Sequence, residues 1–262
     1  MVLIGCGAIG GTVLRLLSER GTGGSIAAVG LRAGSVRSSD LPAGVPVLTD
    51  PAALAGLDAR LVVEAAGRAS VAPWGQSALS NGMDFAVTST SALADPAILD
   101  RLTQTAATHG SRLIIPAGAL GGIDALAAAS RMGLSQVEHR IVKPPQAWIG
   151  TEAETLCDLA SLVAPFLFFQ GTAREAAARF PQNANAAMIV ALAGLGPNLS
   201  RVTLVADPAT DANRHEIRAT GSFGAIMLQF DNAPLPGNPK SSAMTALGLV
   251  RLIENLSAPV VI

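Results

Sequence analysis

Three glycines near the start of the chain have the spacing of a phosphate-binding turn. They follow the apolar run 2–4, and apolar residues at helical spacing follow them over residues 12–17. The pattern predicts a buried strand that turns directly into a helix, where the third glycine allows close packing of helix on strand. Unpaired amides at a helix N-terminus attract a pyrophosphate. We therefore predict that a dinucleotide binds at Gly5, Gly7, Ala8, Ile9 and Gly10.

The end of the second predicted strand bears on the choice between NAD and NADP. NAD-selective domains usually place an acidic residue there, to bind the ribose 2′-hydroxyl. Here the strand ends at Arg32, which is interpreted either as a partner for a 2′-phosphate or adenine, or as a solvated loop arginine. We expect both NAD and NADP to be accepted. Ala66 and Gly67 follow the third predicted strand and leave room for the cofactor ribose.

Histidine is the side chain best suited to proton transfer near neutral pH, and the chain has three. His109 ends a predicted helix, and His139 lies in a predicted strand, where we expect it to be structural or exposed. His215 is by elimination the best general acid or base, although a merely packed histidine is the alternative. Asn213 faces the same way as His215 if this segment is extended. It either orients the imidazole or only turns the chain.

Several other polar side chains have two interpretations each. Asn183 and Asn185 are either helix caps or amide donors to cofactor or substrate. Lys143 and Lys240, the only lysines in the chain, are either ligands for a substrate carboxylate or ordinary surface charges. Glu64, at the end of the third predicted strand, is either a hydrogen-bonding group behind the cofactor or a partly exposed acid.

The order of the predicted elements indicates an α/β fold with two domains. Over residues 1–118, short β-branched runs alternate with helical patterns, which predicts a doubly wound parallel sheet of the Rossmann type. Residues 119–236 contain several alternating segments and fewer helices, which predicts an α+β domain. Residues 237–262 contain a helical apolar pattern, and we expect this last helix to pack back on the first domain. The strands predicted in the first domain begin near residues 2, 26, 61, 84 and 112.

Composition excludes several classes of protein. Half of the residues are apolar, 14% are charged and the formal net charge is −1, so we expect neither disorder nor a nucleic-acid or membrane partner. The apolar stretch 159–169 is interrupted by polar residues and is too short to cross a bilayer. A predicted strand at residue 2 leaves no room for a leader peptide. Cys6 and Cys157 lack metal-type spacing, so we expect a cytoplasmic protein without a metal site.

Five segments of the chain together resemble the L-aspartate dehydrogenases: residues 5–10, 64–67, 117–126, 180–185 and 213–217. The resemblance implies NAD(P)-dependent oxidative deamination of L-aspartate, through iminosuccinate to oxaloacetate and ammonia, near the start of NAD biosynthesis. It also implies a homodimer whose α+β domain holds the active site and much of the subunit contact. By the same resemblance, His215 is the catalytic residue, and Ala119 and Asn185 contact the cofactor.

Two alternatives compete with this hypothesis. The first is another two-domain dehydrogenase of the homoserine dehydrogenase type, against which the segment containing Asn213 and His215 argues. The second is a non-catalytic NAD(P)-binding regulator, which would not need His215. An aldehyde dehydrogenase with a cysteine nucleophile is disfavoured, because neither cysteine lies at a helix start or beside a histidine.

Overall fold

The chain divides into two compact units in a computed structural model that describes residues 1–22, 26–35, 41 and 43–261. One unit comprises Met1–Pro116 and Ala246–Ile262, and the other comprises Ala117–Thr245. The domain boundaries inferred from the sequence, after residues 118 and 236, stay predictions.

The first unit contains a sheet of six parallel strands. They are β1 (Val2–Ile4), β2 (Ala28–Gly30), β3 (Val47–Leu48), β4 (Leu61–Glu64), β5 (Asp84–Val87) and β6 (Leu113–Ile114). The strand order is β3-β2-β1-β4-β5-β6, and every neighbouring pair is parallel. The order reverses between β1 and β4, which makes their carboxyl ends the ligand-binding position of this type of sheet. The predicted doubly wound parallel sheet is confirmed, and β3 is an additional strand.

Three helices connect these strands: α1 (Ala8–Glu19), α2 (Arg68–Ser80) and α3 (Pro96–His109). The ends of α3 follow the sequence pattern. Asp95 accepts a hydrogen bond from the Ala97 N–H at the start of the helix, and Gly110 ends it with a φ of +66°. Two 3-10 turns cover Pro51–Leu54 and Thr90–Ala94.

The second unit contains a mixed five-stranded sheet and a hairpin. The strands are β7 (Leu134–Lys143), β8 (Phe166–Thr172), β9 (Arg201–Ala206), β10 (Asn213–Gly221), β11 (Gly224–Asn232), β12 (Pro234–Leu235) and β13 (Asn238–Ser242). The sheet order is β11-β10-β7-β9-β8, and β12 pairs with β13. Only β7 and β9 are parallel. This is the predicted α+β organisation, with β8 as a strand that the sequence analysis did not assign.

The helices of the second unit are short. They are α4 (Ile123–Ala129), α5 (Ala153–Leu156), α6 (Ala173–Arg179) and α7 (Asn185–Ala193), with 3-10 turns at Ser130–Met132 and Pro145–Trp148. A capping box of Thr172 and Glu175 begins α6. Among the helices in the described part of the chain, none is long and apolar enough to cross a membrane.

The last helix, α8 (Ala243–Glu254), supplies part of the core of the first unit. Its residues Ala246, Leu249, Val250 and Ile253 join a buried cluster that includes Leu3 of β1 and Leu14 of α1. The carboxylate of Glu254 also accepts hydrogen bonds from Arg20 and Thr22. Apolar burial therefore attaches this helix to the opening strand and helix of the chain.

Candidate active site

The glycine turn after β1 leaves no space for side chains at two of its positions. Gly5 has a φ of +95°, and a Cβ atom on it would lie 2.6 Å from the Ala65 carbonyl oxygen. A Cβ atom on Gly10 would lie 2.1 Å from the Gly5 carbonyl oxygen. Gly7, the N-cap of α1, is different, because a Cβ atom there would meet nothing within 4 Å. The sequence pattern predicted this close packing of helix on strand. The N-terminus of the helix stays open at Gly7.

Glu64 holds the neighbouring turn after β4. Its carboxylate is fully buried and accepts hydrogen bonds from the backbone N–H groups of Ala66 (2.8 Å), Gly67 (2.7 Å) and Ser89 (2.9 Å), and from the hydroxyls of Ser70 and Ser89 (3.0 Å each). The interpretation of Glu64 as a partly exposed acid is therefore wrong. It is a hydrogen-bonding group that fixes the backbone at the switch point.

A cleft of about 670 Å³ lies over the carboxyl ends of β1, β2 and β4. Among the predicted cofactor residues, Gly5, Gly7, Arg32 and Ala66 line it. Ala8, Ile9 and Gly10 form the first turn of α1, and Gly67 is the N-cap of α2. The cleft is also lined by residues that the sequence analysis did not single out, among them Thr49, Ser70 and Trp74. A cradle that tolerates no Cβ at two glycines, beside an open helix N-terminus, fits a dinucleotide pyrophosphate.

A polar face lies on the sheet of the second unit. The register pairs His215 on β10 with Ile141 on β7, and successive side chains of a strand alternate between faces. Asn213 and His215 on β10 therefore share one face with His139 and Lys143 on β7. All four side chains are buried. The predicted common orientation of Asn213 and His215 is confirmed, because both lie in the extended strand β10.

The two histidines of this face form a hydrogen-bonded pair. The distance from His139 Nε2 to His215 Nδ1 is 3.1 Å, and each residue is 2% exposed. Burial, with a smaller contribution from the charge of Lys143, lowers the pKa of His139 to about 3. Burial lowers the pKa of His215 well below its ordinary value, and the electrostatic effects of His139 and then Lys143 lower it further. The expectation that His139 is structural or exposed thus missed its position as the partner of His215.

Lys143 is buried as well, and the surface interpretation of this residue is wrong. It is 3% exposed, and its Nζ donates to Asn183 Oδ1 (3.1 Å) and to the backbone oxygen of Lys240 (2.8 Å). Burial, assisted by the nearby charge of Lys240, lowers the pKa of Lys143 to about 7. Asn183 is not a helix cap, since the N-cap of α7 is Ala184.

The remaining predicted site residues lie elsewhere in the second unit. Asn213 donates through Nδ2 to the backbone oxygens of Pro239 and Ser241, and within the described residues no hydrogen bond joins it to His215. Ala119 is buried, and its backbone oxygen accepts a hydrogen bond from Asn232 Nδ2 at 2.9 Å. Asn185 is the first residue of α7. The cofactor contacts inferred for Ala119 and Asn185 stay predictions.

Comparisons with known proteins agree with these two units. Residues 5–116 match the family profile described as "Homoserine dehydrogenase, NAD binding domain", and residues 124–256 match the one described as "Aspartate dehydrogenase, C-terminal". The first unit is thus an NAD-binding domain of the Rossmann type, and the second is the α+β domain.

Individual relatives extend over the whole chain. The chain is 57% identical to an L-aspartate dehydrogenase of Brucella anthropi, over 100% of this chain and 98% of that protein. It is 40% identical to an L-aspartate dehydrogenase of Pseudomonas aeruginosa, over 97% and 96% of the two chains. The crystal structure of the Thermotoga maritima aspartate dehydrogenase aligns with a TM-score of 0.77 at 26% identity, covering 100% of this chain and 97% of that one. The chain belongs to the aspartate dehydrogenase family.

Proposed function

We propose that this protein catalyses the NAD(P)-dependent oxidative deamination of L-aspartate to iminosuccinate, which water converts to oxaloacetate and ammonia. The reverse reaction is the reductive amination of oxaloacetate, and the product serves NAD biosynthesis. The observation that carries this proposal is the buried pair of His215 and His139 beside Lys143, in the unit that matches the aspartate dehydrogenase profile. The relatives named as L-aspartate dehydrogenases support the choice of substrate.

Several residues are proposed to contact the cofactor. In the first unit, the turn at Gly5, Gly7, Ala8, Ile9 and Gly10 would hold the pyrophosphate, and Arg32, Ala66 and Gly67 would contact the adenosine and ribose. In the second unit, Ala119 and Asn185 would contact the cofactor. When bound, the nicotinamide ring supplies the carbon that accepts a hydride. Arg32 lines the cleft, which supports acceptance of NADP as well as NAD.

His215 acts as the proton acceptor in the direction of oxidation. The substrate amine must be neutral before its α-carbon can lose a hydride, and the water that attacks the imine must also lose a proton. A histidine that is neutral at pH 7 can take either proton. A neutral imidazole has one N–H and one nitrogen with a lone pair. If Nε2 of His215 accepts the proton, its Nδ1 carries the N–H and donates to His139 Nε2. Asn213 lies on the same face of β10, two residues before His215. It is proposed to help orient the groups that contact the substrate.

A homodimer and a cytoplasmic location complete the proposal. Several large apolar side chains of the second unit are exposed, among them Ile149, Val163, Phe166 and Leu167, and a subunit contact would remove them from water. Cys6 and Cys157 form no disulfide, which suits a reducing compartment.

The proposal is tested by following the absorbance of the reduced nicotinamide with oxaloacetate, ammonia, and NADH or NADPH. We expect oxidation that requires both oxaloacetate and ammonia, and the reverse signal with L-aspartate. Cofactor binding without turnover of any amino acid would instead support a regulator.

The match of the first unit to the homoserine dehydrogenase profile favours a second candidate, oxidation of homoserine. The same assay with L-homoserine separates the two. Turnover of homoserine but not of aspartate would reverse our assignment.

A further inference from the structure

Three buried polar atoms on or beside the face that carries His215 lack a hydrogen-bond partner among the described residues. They are His139 Nδ1, Asn183 Nδ2 and Asn213 Oδ1. A buried polar group without a partner is costly, so folded proteins rarely leave several together. The two amide atoms belong to residues linked to the buried ammonium of Lys143, directly or through the Lys240 backbone, which points to a ligand that would satisfy both.

The residues that carry the unpartnered atoms are connected through Lys143 and its neighbours, and His139 lies on the same face of β7 as Lys143. Asn183 accepts from Lys143 through Oδ1, so its free N–H₂ group lies beside the ammonium. Lys143 also donates to the backbone oxygen of Lys240. Asn213 donates to the backbone oxygens of the two residues next to it, Pro239 and Ser241. An ammonium has three N–H donors, and two of those on Lys143 are used. The cluster therefore offers free donors from Lys143 and Asn183 and a free acceptor on Asn213.

This combination of donors and acceptor suits a molecule that carries both a carboxylate and an amine. A carboxylate accepts only, and it forms its strongest hydrogen bonds with charged donors. An amine or ammonium donates to an amide oxygen. We propose that Lys143 and Asn183 bind one carboxylate of the substrate and that Asn213 Oδ1 accepts a hydrogen bond from its amine. This inference rests on the proposed function and assigns the substrate contacts within it.

The charge of Lys143 makes the proposed binding dependent on pH. The titratable groups that face Lys143 are His139 on its own strand, His215 on β10 and Lys240 on β13; Trp148 and Asn183 contribute an uncharged ring and an amide. With its pKa near 7, Lys143 is largely neutral at pH 8.5. A bound carboxylate favours the ammonium and raises this pKa. Binding at pH 8.5 must then take up a proton, and affinity must fall as the pH rises above 7.

The test measures binding of succinate and L-aspartate by calorimetry, with the full-length protein saturated with NADH, so that L-aspartate cannot be oxidised. Succinate lacks the amine and cannot be oxidised. We expect Lys143→Met to weaken both ligands by roughly 10- to 100-fold. We expect Asn213→Ala to weaken L-aspartate by about tenfold and succinate very little, because only the amine contact is lost.

Lys240→Met is the matched control, since it removes the other lysine, and the two variants are compared at pH 6.5, where Lys143 is mainly charged. The Nζ of Lys240 binds Gln182 Oε1, and only its backbone oxygen contacts Lys143. Succinate affinity should be retained in this variant. An equal loss in both lysine variants, or none in Lys143→Met, would overturn the proposal.

Proton uptake by the unmodified protein keeps the inference testable if a variant does not fold. Calorimetry at pH 8.5 in buffers of different ionisation enthalpy should show uptake of nearly one proton per succinate, and uptake near zero would contradict the assignment of Lys143. If the unmodified protein turns over aspartate in the assay above but takes up no proton on binding succinate, the proposed reaction stands and only this inference is removed.

Discussion

The glycine turn of the first unit and the polar face of the second are constructed in opposite ways. The turn has its shape because side chains are absent, and Gly10 approaches the Gly5 oxygen more closely than any Cβ would allow. The polar face depends on buried side chains that hydrogen-bond across strands. The turn offers backbone N–H groups to a ligand, whereas the face offers side chains whose chemistry can distinguish one substrate from another.

The largest expected effect is on the side-chain face. His215→Ala should lower kcat by roughly 10²- to 10⁴-fold, because the proposed proton acceptor is lost. Cofactor affinity, measured by fluorescence titration, should stay close to that of the unmodified protein. His109→Ala is the control, since His109 ends α3 in the first unit and its Nδ1 hydrogen-bonds the Thr105 oxygen. Near-normal turnover of His215→Ala would remove this residue from the mechanism.

Two alanine substitutions test whether the glycine turn works through its backbone. Gly10→Ala should reduce the free energy of unfolding by about 1–3 kcal/mol or more, because the added methyl overlaps the Gly5 oxygen. Gly7→Ala should leave stability unchanged, since nothing lies within 4 Å of the added atom. It should still weaken NAD roughly tenfold by obstructing approach to the helix N-terminus. Urea unfolding and NAD titration of both variants check this, and unimpaired NAD binding by Gly7→Ala would contradict the proposed pyrophosphate site.

The histidine pair should make stability depend on acid. The pKa values of His139 and His215 are lowered in the folded chain, so the unfolded chain binds more protons below about pH 6.5. The free energy of unfolding should therefore fall as the pH drops from 6.5 to 5, by up to about 1.4 kcal/mol per pH unit for each histidine. Above about pH 7.5 the contribution of the pair is constant, because both histidines are then neutral in the folded and the unfolded chain.

Urea unfolding at several pH values measures this dependence. His139→Gln should remove about half of the slope that the pair contributes, while His109→Gln should leave that slope unchanged. An unaltered slope in His139→Gln would show that the pair is not held neutral in the folded chain.

The smallest expected effect is at the exposed edge of the cofactor cleft. Arg32→Ala should weaken NADP roughly fivefold and NAD hardly at all, because an exposed arginine contributes only a modest ion pair to a 2′-phosphate. Titration with both cofactors measures the ratio. If the unmodified protein already binds NADP far more weakly than NAD, this role of Arg32 is wrong.

Local sequence patterns predicted the elements whose signals lie within a few residues. The glycine turn and the strands predicted to begin near residues 2, 61 and 84 all occur where the sequence placed them. Strand β3 has two residues, which is too short to show a periodicity. Strand β8 shows no regular alternation of buried and exposed residues, so its apolar run carried no strand signal.

The polar face was harder to predict because its contacts are distant along the chain. His139 and His215 are separated by 76 positions, and Lys143 and Asn183 by 40. Whether one residue of a strand is buried depends on the strands packed beside it, and no spacing within β7 reveals its pairing with β10. The segments around His215 and Asn183 could be singled out from their residue types. Their association with Lys143 required the register.

The attachment of α8 to the opening strand has a consequence for how the protein is synthesised. The second unit is inserted between two parts of the first, and Leu249 and Val250 complete a core begun by Leu3 and Leu14. The growing chain leaves the ribosome from its N-terminus, so the whole of the second unit must emerge before α8 can close that core. Until then the nascent nucleotide-binding unit exposes the apolar surface that α8 later covers.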